Sequence, residues 1–150
     1  MKNGCQPEIV VLYCYNTLAP GECLGEGIKQ GPGFRARLVA LPCSSKIEVY
    51  HLVIHLERGA DGIQVVACPP DRCRLLVGNT KADNKIKYVH RFLTELQAGP
   101  ERVAMFRGED LTAAQIMELA GERAETALAL EAREAAHHAG VTRRLASTGQ

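Results

Sequence analysis

The chain has 150 residues, with 18 Lys and Arg against 17 Asp and Glu and a formal net charge of +1. That length suits one domain with a sizeable core, and so even a balance gives no electrostatic case for nucleic acid or an anionic membrane as partner. There is no Trp and there are three Phe, hence no base-stacking platform, and no apolar run approaches the roughly 18–20 residues of a bilayer span.

The opening MKNGCQPE lacks the apolar centre of a secretory signal, so a cytoplasmic, reducing compartment is expected. Residues 8–13 (EIVVLY) read as a buried strand, short, β-branched and apolar. The Gly- and Pro-rich stretch that follows (Pro20, Gly21, Gly25, Gly27) leaves room only for a short helix, and Gly31-Pro32-Gly33 reads as a turn. Residues 34–41 (FRARLVAL) are a second strand. The alternation of Arg35 and Arg37 with apolar neighbours suggests an edge.

Ser45 and Glu48 have capping-box spacing and predict a helix with Ile47, Tyr50 and Ile54 on its apolar face, ending at Gly59. Residues 62–67 (GIQVVA) are apolar enough for a central strand. Asn79 or Thr80 caps a helix to about Ala98, whose stripe Ala82, Ile86, Val89, Leu93, Leu96 has helical period. Residues 102–106 (RVAMF) make a fourth strand. Thr112 and Gln115 form a second capping box, opening a long Ala/Glu/Arg-rich helix to about Ala139, before a frayed tail. Strand and helix alternate four times. The expected architecture is therefore α/β, a single domain with a four-stranded parallel sheet in a flavodoxin-like order 2-1-3-4. Residues 1–110 form the α/β body and residues 111–150 a helical extension, either a solvated tail or an arm for a neighbouring subunit.

Four of the six cysteines stand where an apolar run ends: Cys14 after IVVLY, Cys43 after LVALP, and Cys68 with Cys73 after IQVVA. A parallel sheet collects the carboxyl ends of its strands on one edge, where ligands bind. Four thiolates in a reducing compartment point to a metal, foremost an iron–sulfur cluster. Buried core thiols are the competing reading of the same spacing. Two prolines in CPPDRC stiffen a loop that offers two ligands. Structural zinc shows two paired knuckles, and one pair is present. A thioredoxin-type dithiol needs C-x-x-C, which Cys68 and Cys73 do not make, although a thiol-redox enzyme using that pair stands as an alternative. A zinc-stabilised or thiol-rich α/β interaction module is the other. Cys5 is read as incidental and Cys23 as the ambiguous thiol. His51 and His55 lie one helical turn apart as a minor metal-binding candidate, and His137-His138 marks a helix end. Arg72 and Arg74 flank Cys73 and would offset the negative charge of a four-thiolate cluster.

At PCSSK (42–46), GADGI (59–63), the pair Cys68 and Cys73, and Gly78-Asn79, the chain resembles the delta-subunit family of methyl-viologen-reducing hydrogenase. The resemblance covers residues 8–107. It implies one [2Fe–2S] cluster held by Cys14, Cys43, Cys68 and Cys73. It also implies an electron-transfer subunit, not an enzyme by itself. Such a subunit relays electrons from an oxidoreductase, such as a hydrogenase or formate dehydrogenase, to the flavin-containing A subunit of heterodisulfide reductase. Two positions depart from the family's pattern. Its C-x-x-C after the first strand reads Cys14-Tyr15-Asn16-Thr17, and its Cys-His reads Cys73-Arg74. Cys23 is the possible substitute ligand.

Overall fold

The computed structural model describes residues 6–147. Cys5 lies outside the described residues. Five strands make one mixed sheet: β1 (Glu8–Cys14), β2 (Gly27–Gly31), β3 (Phe34–Leu41), β4 (Gly62–Ala67) and β5 (Val103–Arg107), in the order β2-β3-β1-β4-β5. Strands β3, β1, β4 and β5 are parallel in the expected flavodoxin-like order, while β2 runs antiparallel to β3. Three helices cover the sheet: α1 (Val49–Glu57), α2 (Gly78–Glu95) and α3 (Ala113–Ser147).

Strand β1 is central, so both its faces are apolar. Val10 and Leu12 pack against Leu52 of α1 and Ile86, Val89 and Leu93 of α2. Ile9, Val11 and Tyr13 face the other way, onto Ile116, Ala120, Ala124 and Ala127 of α3. This period-2 division is what a strand between two helical layers requires.

The sheet has five strands where four were expected. The Gly- and Pro-rich stretch forms β2 and its hairpin turn at Pro32 and Gly33, the latter at φ +75°. The short first helix shrinks to a single 3-10 turn, Tyr15–Thr17. Strand β3 is consequently not an edge. Arg35 and Arg37 alternate along it because both reach across to Glu8 of β1, at 2.7 and 3.1 Å.

Helix α1 starts later than Ser45, which lies in the 3-10 turn Ser44–Lys46. Glu48 caps it, and His51 Nδ1 accepts from the Glu48 backbone N–H at 3.4 Å. Leu52 is its buried residue, whereas Tyr50 is exposed. The expected stop holds: Gly59 sits at φ +98°, and Ala60 N–H closes on His55 O at 3.0 Å in a Schellman arrangement. Helix α2 begins at Gly78, so Asn79 lies inside its first turn, not at its cap, and it ends at Glu95, which leaves Leu96 of the expected stripe past the helix and exposed. The Thr112–Gln115 capping box is present in both directions, at 2.9 and 3.1 Å. Helix α3 runs on to Ser147 where a frayed tail was expected. Its sheet-facing residues end at Leu130, and Arg102 pins the next turn by donating to Glu134 at 3.1 Å. No helix among the described residues is long and apolar enough to cross a membrane.

Candidate metal centre

Cys14 ends β1, Cys43 follows β3, and Cys68 follows β4. These three strands are neighbours in parallel register, Cys14 facing Leu41 and Tyr13 facing Val66, so their carboxyl ends share one edge. Strands in a sheet lie about 4.8 Å apart, which puts residues far apart in sequence side by side. Cys73 joins them through the 68–77 loop. Cys43, Cys68 and Cys73 pack as one buried cluster, and Cys14, also buried, meets Cys43 and Cys68. All four are free thiols, and Cys23 is exposed and outside the cluster. Among the described residues no group of three or more His, Cys, Asp or Glu side chains stands in a ready metal-holding geometry. The four thiols share an edge without forming a closed coordination sphere.

The surroundings suit sulfur ligands. Gly78 opens α2 directly beneath them. A Cβ there would collide with Cys43 Sγ and sit 3.1 Å from Cys73 Sγ, so only glycine lets the helix start so close to the cluster. Asn79 is fully buried and donates from its side-chain amide to the Cys68 carbonyl at 3.0 Å. Its Oδ1 accepts from the Thr80 N–H at 2.8 Å. One residue thus ties α2 to the cysteine loop. Thr17 does the same for the first turn, its hydroxyl donating to the Cys14 carbonyl at 2.7 Å. The buried Ser44 hydroxyl, next to Cys43, has no hydrogen-bond partner among the described residues. An orphan polar atom of this kind is rare in a core and marks a corner suited to a bound group.

Electrostatics divide the thiols. Burial pushes Cys14 up, against the pull of backbone N–H groups of Asn16 and Ser44. Burial pushes Cys68 up to about 11, and repulsion from Cys14 and Cys73 adds to it. Cys73 goes the other way. Burial opposes its ionisation, but N–H groups of Asn79, Leu75 and Gly78 together with the Cys68 thiol favour the thiolate and bring it below its ordinary value. Backbone N–H groups aimed at cysteine sulfur are how proteins tune iron–sulfur potentials. Four thiols, N–H donors on two of them, and no carboxylate among them fit a soft metal or cluster.

Around the rim, Arg74 Nε donates to Asn16 Oδ1 at 3.0 Å, and Asn16 Nδ2 donates to the Arg72 carbonyl at 2.8 Å. Arg72 also pairs with Glu109 at 3.1 Å. Asn16 therefore braces the 68–77 loop from the β1 side, a role not visible in the sequence. The signal for Gly78 and Asn79 was present as the Gly-Asn dipeptide after the paired cysteines. His51 serves as a cap partner and His55 is part-buried, while His137 and His138 are exposed and lie within α3, not at its end as expected.

The family described as methyl-viologen-reducing hydrogenase, delta subunit, matches residues 9–130. The chain is 30% identical to the F420-non-reducing hydrogenase vhu iron-sulfur subunit of Methanocaldococcus jannaschii, over 67% of this chain and 75% of that protein. It is 31% identical to the F420-non-reducing hydrogenase iron-sulfur subunit of Archaeoglobus profundus, over 70% and 77%. Against the vhu iron-sulfur subunit of Methanococcus voltae the identity is 26%, over 81% and 91%.

Proposed function

The chain belongs to the methyl-viologen-reducing hydrogenase delta-subunit family, and on that premise we propose that it is the electron-transfer subunit of a larger oxidoreductase complex. It carries one [2Fe–2S] cluster on Cys14, Cys43, Cys68 and Cys73. The observation that carries this reading is the convergence of Cys43, Cys68 and Cys73 into one buried group, with Cys14 beside it, at the carboxyl edge of parallel strands. The names of its relatives, iron-sulfur subunits of hydrogenases, point the same way.

The chemistry supplied by such a cluster is uptake and release of one electron. The protein's own part is to hold and shield it. Burial of the four thiols excludes water. The N–H groups of Leu75, Gly78 and Asn79 favour the thiolate form of Cys73. Pro69 and Pro70 restrict the loop between Cys68 and Cys73, so less conformational freedom is lost on binding. Arg72 and Arg74 supply positive charge at the rim.

A carrier with no substrate of its own must bring its centre close to others, so it works in a complex. The electron donor is a hydrogenase, formate dehydrogenase or similar oxidoreductase. The acceptor is a flavin-containing subunit of the heterodisulfide reductase A type, in the cytoplasm. Iron and sulfide analysis of anaerobically purified protein and its Cys→Ser variants tests the reading. A second reading draws on the opposed shifts of Cys68 and Cys73, which suit a redox-active dithiol. Disulfide-reductase activity in iron-free protein, lost in Cys73→Ser, would favour it.

A further inference from the structure

Helix α3 outruns the body it covers. Its last sheet-facing residue is Leu130, and residues 135–147 are exposed on every side. That arm is about 20 Å of helix at 1.5 Å per residue. An isolated helix of this length is marginal in water and persists when a face of it is packed. The arm contains Gly140, exposes Val141 and Leu145, and holds Arg143, Arg144, His137 and His138 with no acidic residue.

The first half of the same helix borders an open groove. Its floor is apolar, formed by Met117, Gly121 and Leu128 against the hairpin turn at Pro32–Phe34. Its rim is Glu118, Glu122 and Glu125, and no Lys, Arg or His lines it. From Ala114 to Leu128 it runs about 21 Å along the helix axis, which matches the arm.

We propose that this chain forms a two-fold dimer in which residues 135–147 of each copy lie antiparallel in the groove of the other. The occupant is a second copy because groove and arm complement each other in length and in charge, acidic against basic, and belong to one helix. An isologous pair therefore fills both grooves at once. A two-fold antiparallel pair presents one stripe of α3 to its partner along the whole helix, and the groove stripe Ala114, Met117, Gly121 and Leu128 continues at helical spacing into Ala135, Ala139, Thr142 and Ala146 of the arm. These small residues let the two helices approach closely, and Arg143 lies on the flank of that stripe that carries Glu118 and Glu125 in the groove. The cysteines take no part, so the dimer stands or falls independently of the cluster.

The test is the mass of the full-length chain by size-exclusion chromatography with light scattering, at low and high protein concentration. The expected mass is twice the 16.3 kDa of one chain. Glu118→Lys/Glu122→Lys/Glu125→Lys, and separately Arg143→Glu/Arg144→Glu, should each weaken association by at least about tenfold through like-charge contact. Mixing the two variants restores opposite charge in both grooves, so the mixture should dimerise where neither variant does alone. Unchanged circular dichroism of these surface variants confirms that they fold. A wild-type chain that stays at single-chain mass, variants that dimerise as wild type does, or a mixture that stays monomeric would each overturn the proposal.

Discussion

The Asn79 side-chain amide donates to the carbonyl oxygen of Cys68 at 3.0 Å, out of contact with solvent. This bond links the first turn of α2 to the end of β4 and so fixes where the cysteine loop leaves the sheet. Asn79→Ala leaves the Cys68 carbonyl buried and unpaired, at a cost of about 1–3 kcal/mol. Urea unfolding should show that loss, and iron retention should fall with it. An Asn79→Ala chain as stable as wild type would show that the bond is dispensable.

Gly78 gives a steric test of the same corner. It does not need a left-handed backbone, so alanine is conformationally acceptable there. What alanine brings is a Cβ that collides with Cys43 Sγ. Gly78→Ala should cost about 1–3 kcal/mol as overpacking and displace Cys43 enough to lower cluster occupancy. The visible absorption spectrum of the variant measures the second effect directly.

The convergence of the four cysteines was legible in the sequence because strand ends are. A short apolar run gives the end of a strand, and parallel pairing brings such ends to one edge. The added strand β2 was not legible. GIKQG has one β-branched residue and reads as loop, and only pairing with β3 makes it a strand. Arg35 and Arg37 misled for a related reason. Polar alternation usually marks a solvated edge, but here it marks a salt bridge to Glu8 across the sheet. Helix α1 starts later than the capping-box spacing of Ser45 and Glu48 predicts. The cap used is Glu48 with His51, a pairing outside the usual residue preferences. Asn16 was unreadable, because its partners Arg72 and Arg74 are distant in sequence.

Arg74 is braced by Asn16 at the rim of the centre. Removing a positive charge there should make the centre harder to reduce. Arg74→Gln is expected to lower the midpoint potential in a redox titration, with iron content unchanged. Arg74→Lys, which keeps the charge, should leave the potential near that of wild type.

His55 and Glu8 both make stability depend on pH. Burial holds His55 below the usual histidine value. Its contribution is therefore present above about pH 6.5 and is lost as pH falls through the lower folded value, because the unfolded state takes up the proton first. Glu8 is also lowered. Burial works against its charge, but Arg37 and Arg35 outweigh burial. Its contribution is present above the ordinary carboxylate value and lost below it, in a second and more acidic window. Urea midpoints of metal-free protein across this range should fall in two stages. His55→Gln should flatten the first stage, and Glu8→Gln the second.

Iron and acid-labile sulfide content of the anaerobically purified chain is the most direct measurement. About two iron and two sulfide per chain are expected, with visible absorption that bleaches on one-electron reduction. Cys43→Ser, Cys68→Ser and Cys73→Ser should each lose most of it, and Cys23→Ser none; a wild-type spectrum from Cys14→Ser, with loss from Cys23→Ser, would move one ligand. Stoichiometric zinc with no iron in the wild-type protein would contradict the proposed electron-transfer function.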